Sequence, residues 1–160
     1  MPDSPTRSEA IKQLAQLIKD VRVAMLTTTT DRGWLRSRPM VTQRLPFDGD
    51  LWFLSGKSTA KARDVRNRQQ VNVAYMSFDE DRYVSVSGMA TIVDDLAKAK
   101  SLWNSAYAEW FPKGTTDPDL VLIRVQVEEA EYWDPAQRRM VQITGFVEPS
   151  PSFREPGTGV

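Results

Sequence analysis

Apolar residues at Ile11, Leu14, Leu17, Ile18 and Val21 recur every three or four positions behind Ser8, which predicts an amphipathic helix with Ser8 as its N-cap. The period then changes. Val23 to Thr30 is apolar and β-branched, Asp31-Arg32-Gly33 has the composition of a hairpin turn, and Trp34 to Arg44 predicts a second strand. Phe47-Asp48-Gly49-Asp50 makes the next turn and Leu51 to Leu54 a third strand, so these three strands are expected to form an antiparallel meander. A helix follows from about Thr59 to Arg68. Val71 to Ser77 returns as a strand, and the charged loop Asp79-Glu80-Asp81-Arg82 leads to the long strand Tyr83 to Val93. Asp94 is placed to cap a second long helix carrying Leu96, Trp103 and Tyr107 and ending near Trp110-Phe111-Pro112, where proline stops propagation. Leu120 to Val127 alternates Val121, Ile123, Val125 and Val127 against Leu122, Arg124 and Gln126, and a last short strand is expected around Ala130 to Trp133.

Six or seven mainly antiparallel strands with hairpin-length early links and three helices predict a mainly β (α+β) domain, a barrel with peripheral helices. Pro39 sits in mid-strand. It cannot donate to a ladder, so it belongs at an edge, a bulge or a gap, and a gap in a barrel wall is where a flat ring could enter. The expected organisation is a tail over residues 1–7, one domain over 8–135 and an extension over 136–160, where Pro149, Pro151, Pro156, Gly157 and Gly159 suggest a loose tail.

Composition narrows the chemistry. The 160 residues contain no His and no Cys, which excludes Ser-His-Asp and Cys-His nucleophile systems, the usual zinc sites, iron–sulfur clusters and disulfides. Redox chemistry would need an organic cofactor. Lys plus Arg and Asp plus Glu balance at 21 each, so no global field favours nucleic acid or an anionic membrane. The first seven residues lack the apolar run of a signal peptide and nothing approaches the ~20 apolar residues of a membrane span, so a cytoplasmic location is the expectation.

Within that neutral background, residues 36–61 gather cations and hydroxyls. Arg36-Ser37-Arg38-Pro39-Met40 lies on one strand, and Leu51 to Leu54 feeds Ser55-Gly56-Lys57-Ser58-Thr59-Ala60-Lys61 into a helix start. Free backbone N–H groups, hydroxyls and the helix dipole all favour an anion there. Helix starts usually carry Asp or Glu, yet this one has Lys57 and Lys61 and no acid until Asp64, which opposes the dipole by roughly 0.3–1 kcal/mol per exposed cation unless an anion is bound. Spacing alone leaves a second reading open: both arginines on the solvent side of an edge strand, Met40 as core filler, and Lys57, Lys61, Arg63, Arg66 and Arg68 as a solvated helix face. A nucleic-acid patch lacks interleaved aromatics on that helix. Trp103, Tyr107, Trp110 and Phe111 fit core or interface, while Tyr132-Trp133 fits either core packing or a flank for a planar ligand. Asp48, Asp50, Asp79, Glu80 and Asp81 match no calcium-loop spacing.

The Arg-Ser-Arg-Pro-Met strand, the segment Phe53 to Lys61, the strands Val71 to Tyr75 and Tyr83 to Gly88, and Glu131-Tyr132-Trp133 together resemble the flavin-binding split barrels related to pyridoxamine 5′-phosphate oxidase, nearest their general stress protein branch. The resemblance covers about residues 8 to 135. It implies an antiparallel split β-barrel and a homodimer with two flavins at its interface, FMN or else FAD. Position by position it implies that Arg38, Ser55, Thr59 and Lys61 hold the phosphate, with Ser58 a neighbouring candidate. Pro39 and Met40 would lie along the isoalloxazine ring, and Tyr83 and Trp133 would approach from the partner subunit. Gln43 stands where the oxidases carry a lysine, Ala60 replaces an arginine, and their substrate-handling histidine has no counterpart, so vitamin B6 oxidation is not expected. A non-catalytic flavin binder and a flavin-dependent NAD(P)H oxidoreductase acting on a small molecule both remain open, as does a deazaflavin- or haem-handling relative on the same fold.

Overall fold

A helix start is fixed by whatever satisfies its first N–H groups, and in this chain the acceptor is Thr6. In the computed structural model, which describes residues 5–147, α1 (Arg7–Ile18) is capped by the Thr6 side chain, which accepts from the Glu9 amide at 3.1 Å. Ser8 therefore lies inside the first turn rather than at the cap. Ala10, Leu14 and Ile18 are buried, so the predicted stripe closes one end of the barrel.

Seven antiparallel strands follow: β1 (Val23–Thr29), β2 (Leu35–Val41), β3 (Asp50–Gly56), β4 (Gln70–Ser77), β5 (Arg82–Val93), β6 (Leu120–Asp134) and β7 (Arg139–Ile143). Their order is β2-β1-β4-β5-β6-β3, with β7 added to the far end of β6. β1 and β2 form the expected hairpin, from Val23 opposite Val41 to Thr29 opposite Leu35. The third member of the meander is elsewhere. β3 pairs with β6, from Asp50 opposite Gln126 to Gly56 opposite Leu120. The link after Val41 is too long for a tight hairpin, and Gly49, at φ +124, helps carry the chain across to the other half. Leu120 to Ile123 are all buried, so that stretch of β6 needs neighbours on both faces, and β3 supplies the pairing.

The expected strand over Leu120–Val127 and the short one over Ala130–Trp133 are one continuous strand. Between them the register against β5 shifts at Ser87/Gly88, where Ser87 faces Glu129 and Gly88 faces Val127, so Glu128 is the extra residue of a bulge. Gly88 is required there because a Cβ would run into the Gln126 carbonyl oxygen. Gly88→Ala is expected to destabilise the fold by about 1–3 kcal/mol, seen as a lower denaturant midpoint at unchanged slope.

The barrel also extends past residue 135. β7 pairs with β6, and Ile143 and Phe146 belong to the main core. The polar sequence of β7 hides its strand character. The proline- and glycine-rich tail expected from Pro149 onward lies outside the described residues. No helix among the described residues is long and apolar enough to cross a membrane.

α2 (Ala60–Asn67) lies where the sequence predicts it. The expected long helix after Asp94 is shorter: α3 (Leu96–Leu102) is capped by Asp95, and Asn104 then caps a separate 3-10 turn, Ser105–Glu109. A side-chain acceptor at Asn104 captures the Ala106 amide and so restarts the chain in a new direction. This turn packs Tyr107 and Phe111 against Leu54, Leu120 and Leu122 in a second, smaller core.

Candidate functional site

The sheet order leaves β2 and β3 as its two ends, each hydrogen-bonded to one neighbour only. Between them lies a cavity of about 440 Å³, within the range of small-molecule sites. Pro39, Met40 and Val41 form its β2 side. Leu54, Ser55, Gly56, Thr59 and Lys61 form the side where β3 runs into α2, and Tyr107, Trp110, Phe111 and Asp119 complete it. Pro39 thus occupies an edge bordering a gap, as its missing N–H requires.

Thr59 is the N-cap of α2, with its Oγ1 accepting from the Ala62 amide at 3.4 Å and donating to the Gly56 carbonyl at 2.8 Å. The buried Ser55 hydroxyl lies 3.3 Å from Thr59 Oγ1. Lys61 follows two residues later, in the first turn of α2, on the cavity wall. Burial holds its pKa below the ordinary lysine value, Arg38 lowers it further, and Asp119 offsets part of this.

Arg38 is partly buried and is not among the lining residues. Its Nη1 donates to Thr28 Oγ1 at 2.7 Å and to the Leu26 carbonyl at 3.2 Å, and its Nη2 is 3.7 Å from Asp64 Oδ2. Asp64 is 2% exposed and also accepts from Thr28 Oγ1 at 2.9 Å. The first acid of α2 therefore answers the strand arginine from within the barrel. Burial lowers the Arg38 pKa, with Asp64 opposing the shift and Arg36 adding to it. Arg38 Nη2 is buried and makes no hydrogen bond, a donor held in reserve beside the cup.

Four residues of the cavity wall carry no site signal in the sequence: Asp119, Tyr107, Trp110 and Phe111. Asp119 puts a carboxylate at the anion site: Oδ1 accepts from the Ser58 amide at 3.3 Å and from the Ser58 hydroxyl at 3.1 Å. Its Oδ2 would lie 2.8 Å from a Cβ on residue 56, so Gly56 is the residue that lets strand and loop approach. In a sequence scanned for cations, an aspartate before β6 gives no signal. Tyr107, Trp110 and Phe111 also reach the cavity, whereas their helical spacing points to core.

The expected residues thus divide. Pro39, Met40, Ser55, Thr59 and Lys61 share one cavity, while Arg38 and Ser58 are not among its lining residues, Ser58 being exposed and bonded to Asp119. Tyr83 and Trp133 are remote from it within one chain. They lie on the outward face of the sheet, next to Met76 and Met140, which they oppose in register. Among the described residues no cluster of acids could hold a metal ion.

The family model described as "Pyridoxamine 5'-phosphate oxidase like" matches residues 9–150 of the chain. General stress protein 26 of Bacillus subtilis is 27% identical over 93 residues, covering 56% of this chain and 65% of that protein. The chain spans slightly less than two thirds of the length of the curated relatives it matches. Among solved structures, a protein related to general stress protein 26 from Clostridium acetobutylicum superimposes with a TM-score of 0.72 over 88% of this chain and 96% of that one, at 16% identity, a likeness of fold. A general stress FMN/FAD binding protein of Xanthomonas citri reaches a TM-score of 0.67 at 29% identity over 79% and 89% of the respective chains.

Proposed function

The chain belongs to the pyridoxamine 5′-phosphate oxidase-like family, in its general stress protein group, and from that premise we propose that it binds a flavin, FMN or FAD, in the cavity between β2 and β3. The observation that carries this reading is the joining of an anion cup to an apolar slot in one cavity. Lys61, Ser55, Thr59 and the start of α2 suit the phosphate. Pro39, Met40 and Val41 offer a flat edge for the ring. The Nη2 of Arg38, which faces Asp64 without a hydrogen bond, fits an additional acceptor after a small side-chain movement. When bound, a flavin supplies hydride and one-electron transfer.

Titration of the purified protein with FMN and FAD in a calorimeter tests the reading directly; heat of binding and a flavin spectrum retained after gel filtration are expected. Absence of both for each flavin overturns it.

A role in binding rather than vitamin B6 oxidation fits the lining. Gln43, at the position of the oxidases' lysine, donates from Nε2 to the Tyr107 hydroxyl at 3.0 Å and is thus occupied. The titratable side chains on the wall are Lys61, Tyr107 and Asp119, and burial raises the Tyr107 pKa. NADPH consumption by the flavin-loaded protein above that of free flavin would instead favour the oxidoreductase reading.

The assembly proposed is a homodimer. Val41 opposes Val23 across β1 and β2, and one step further along the β1–β4 register Val23 faces Met76, which opposes Tyr83. Trp133 follows on β6 and Met140 on β7, so a single apolar row crosses six strands on the outer face. Met76, 63% exposed, is near its centre. A row this long has little reason to face water in a lone chain, and a second copy would cover it while bringing Tyr83 and Trp133 to the neighbouring cavity. The wild-type protein should have the mass of two chains by light scattering, and Met76→Asp should have the mass of one. A two-chain mass for the variant would place the interface elsewhere.

A further inference from the structure

The aromatic side chains of the cavity differ in what holds them. Tyr107 and Phe111 are buried in the smaller core, and the Tyr107 hydroxyl is further tied to Gln43. Trp110 lies between these two anchors in sequence, with its amide bonded to the Tyr107 carbonyl at 3.1 Å. Its indole lines the same cavity as Lys61 and Pro39 yet remains 60% exposed. The backbone is thus pinned on both sides of a large aromatic ring that has no core to fill. Exposed indole next to an anion cup suits a ligand that joins a phosphate to a planar conjugated ring, because the ring can stack while the phosphate is held.

Three elements meet at this cavity: the edge of β2, the start of α2 and the end of the 3-10 turn, where Trp110 is the C-cap. Pro39, Met40 and Val41 provide a wall for one face of such a ring, and Trp110 provides the exposed aromatic surface among the described lining residues for the other. We propose that Trp110 is a ligand-binding residue of this protein, stacking its indole on the isoalloxazine ring of the bound flavin. This rests on the flavin reading above and adds a residue and a contact to it. The adenine of FAD is the other planar group that could reach the indole, and the two cases separate experimentally because FMN lacks it.

The test compares Trp110→Ala and Trp110→Phe with wild type by calorimetric titration with FMN and FAD, and by displacement of bound FMN with inorganic phosphate. The position is exposed and outside both cores, so the variants should fold, which circular dichroism checks. Trp110→Ala should weaken FMN and FAD alike, by about 5- to 150-fold, the range of aromatic–base stacking, with partial recovery in Trp110→Phe. The affinity for inorganic phosphate should stay at the wild-type value. Loss confined to FAD would overturn the proposal in favour of adenine, and an equal loss for phosphate would reduce Trp110 to a support of the cup. Unchanged FMN affinity in Trp110→Ala would overturn the stacking contact alone. Failure of wild type to bind either flavin would overturn the underlying reading as well.

Discussion

Lys61→Ala is expected to weaken flavin binding by about ten- to more than a hundredfold, the loss of one charge-assisted hydrogen bond of roughly 1.5–3 kcal/mol to a phosphate. Lys61 is singled out because among the described residues it is the one cation on the cavity wall, whereas Arg38 is engaged with Thr28 and Asp64. The effect also has a pH signature. In the free site, burial and then Arg38 depress the Lys61 pKa, and a bound phosphate would raise it again. Affinity should therefore be full at pH values below the depressed free-site pKa and fall as pH rises through it. For Lys61→Ala that alkaline loss should be absent. Calorimetric titrations across the alkaline range measure both, and a wild-type affinity in Lys61→Ala would remove the lysine from the site.

The second large effect concerns Asp64. Its carboxylate is the acid facing the Arg38 guanidinium within the barrel, and Thr28 bridges the two by accepting from Arg38 and donating to Asp64. Asp64→Ala leaves a poorly solvated cation without its counter-charge and should lower stability by about 3 kcal/mol, in the manner of a half-removed buried ion pair. The double variant Arg38→Met/Asp64→Leu should recover much of that loss, because neither charge then remains to be solvated. Denaturant unfolding of the two proteins checks this. If Asp64→Ala is as stable as wild type, the pair is not the support of the cup floor.

The arrangement around Asp64 also revises the electrostatics suggested by composition. Residues 36–61 look like an uncompensated cluster of cations. In the fold, Asp64 faces Arg38 from below and Asp119 lies close enough to Lys61 to raise its pKa. The cup is a balanced site with Lys61 as the cation on its wall, and its selectivity for an anion depends on geometry as much as on net charge.

Local signals were the legible ones. Thr59 and Gly56 three residues earlier mark the start of α2, the Asp31-Arg32-Gly33 turn marks the β1–β2 hairpin, and Pro39 marks the interrupted edge; each depends on residues close in sequence. The pairing of β3 with β6 joins residues about seventy positions apart, and no local pattern distinguishes it from a continued meander. Glu128 and Glu129 look like the end of one strand and the start of another, because a bulge places two polar residues in sequence just as a turn would. Trp110 carries the opposite signal: its spacing from Trp103 and Tyr107 suits one helix face, but the chain restarts at Asn104 and Trp110 lines the cavity instead. Asp119 was invisible since a carboxylate is the last group sought where a phosphate is expected.

The parting of β2 from β3 has a consequence for the life of the protein in a crowded solution. Each of those strands offers a row of backbone groups that another polypeptide could zip onto, the route by which sheet proteins clump. Pro39 interrupts one such row, and the exposed charge of Arg36 on the same strand disfavours an approaching like strand. Swapping Pro39 for a residue that can donate would restore a continuous ladder there, so the same imino acid that borders the ring slot also guards against runaway strand addition.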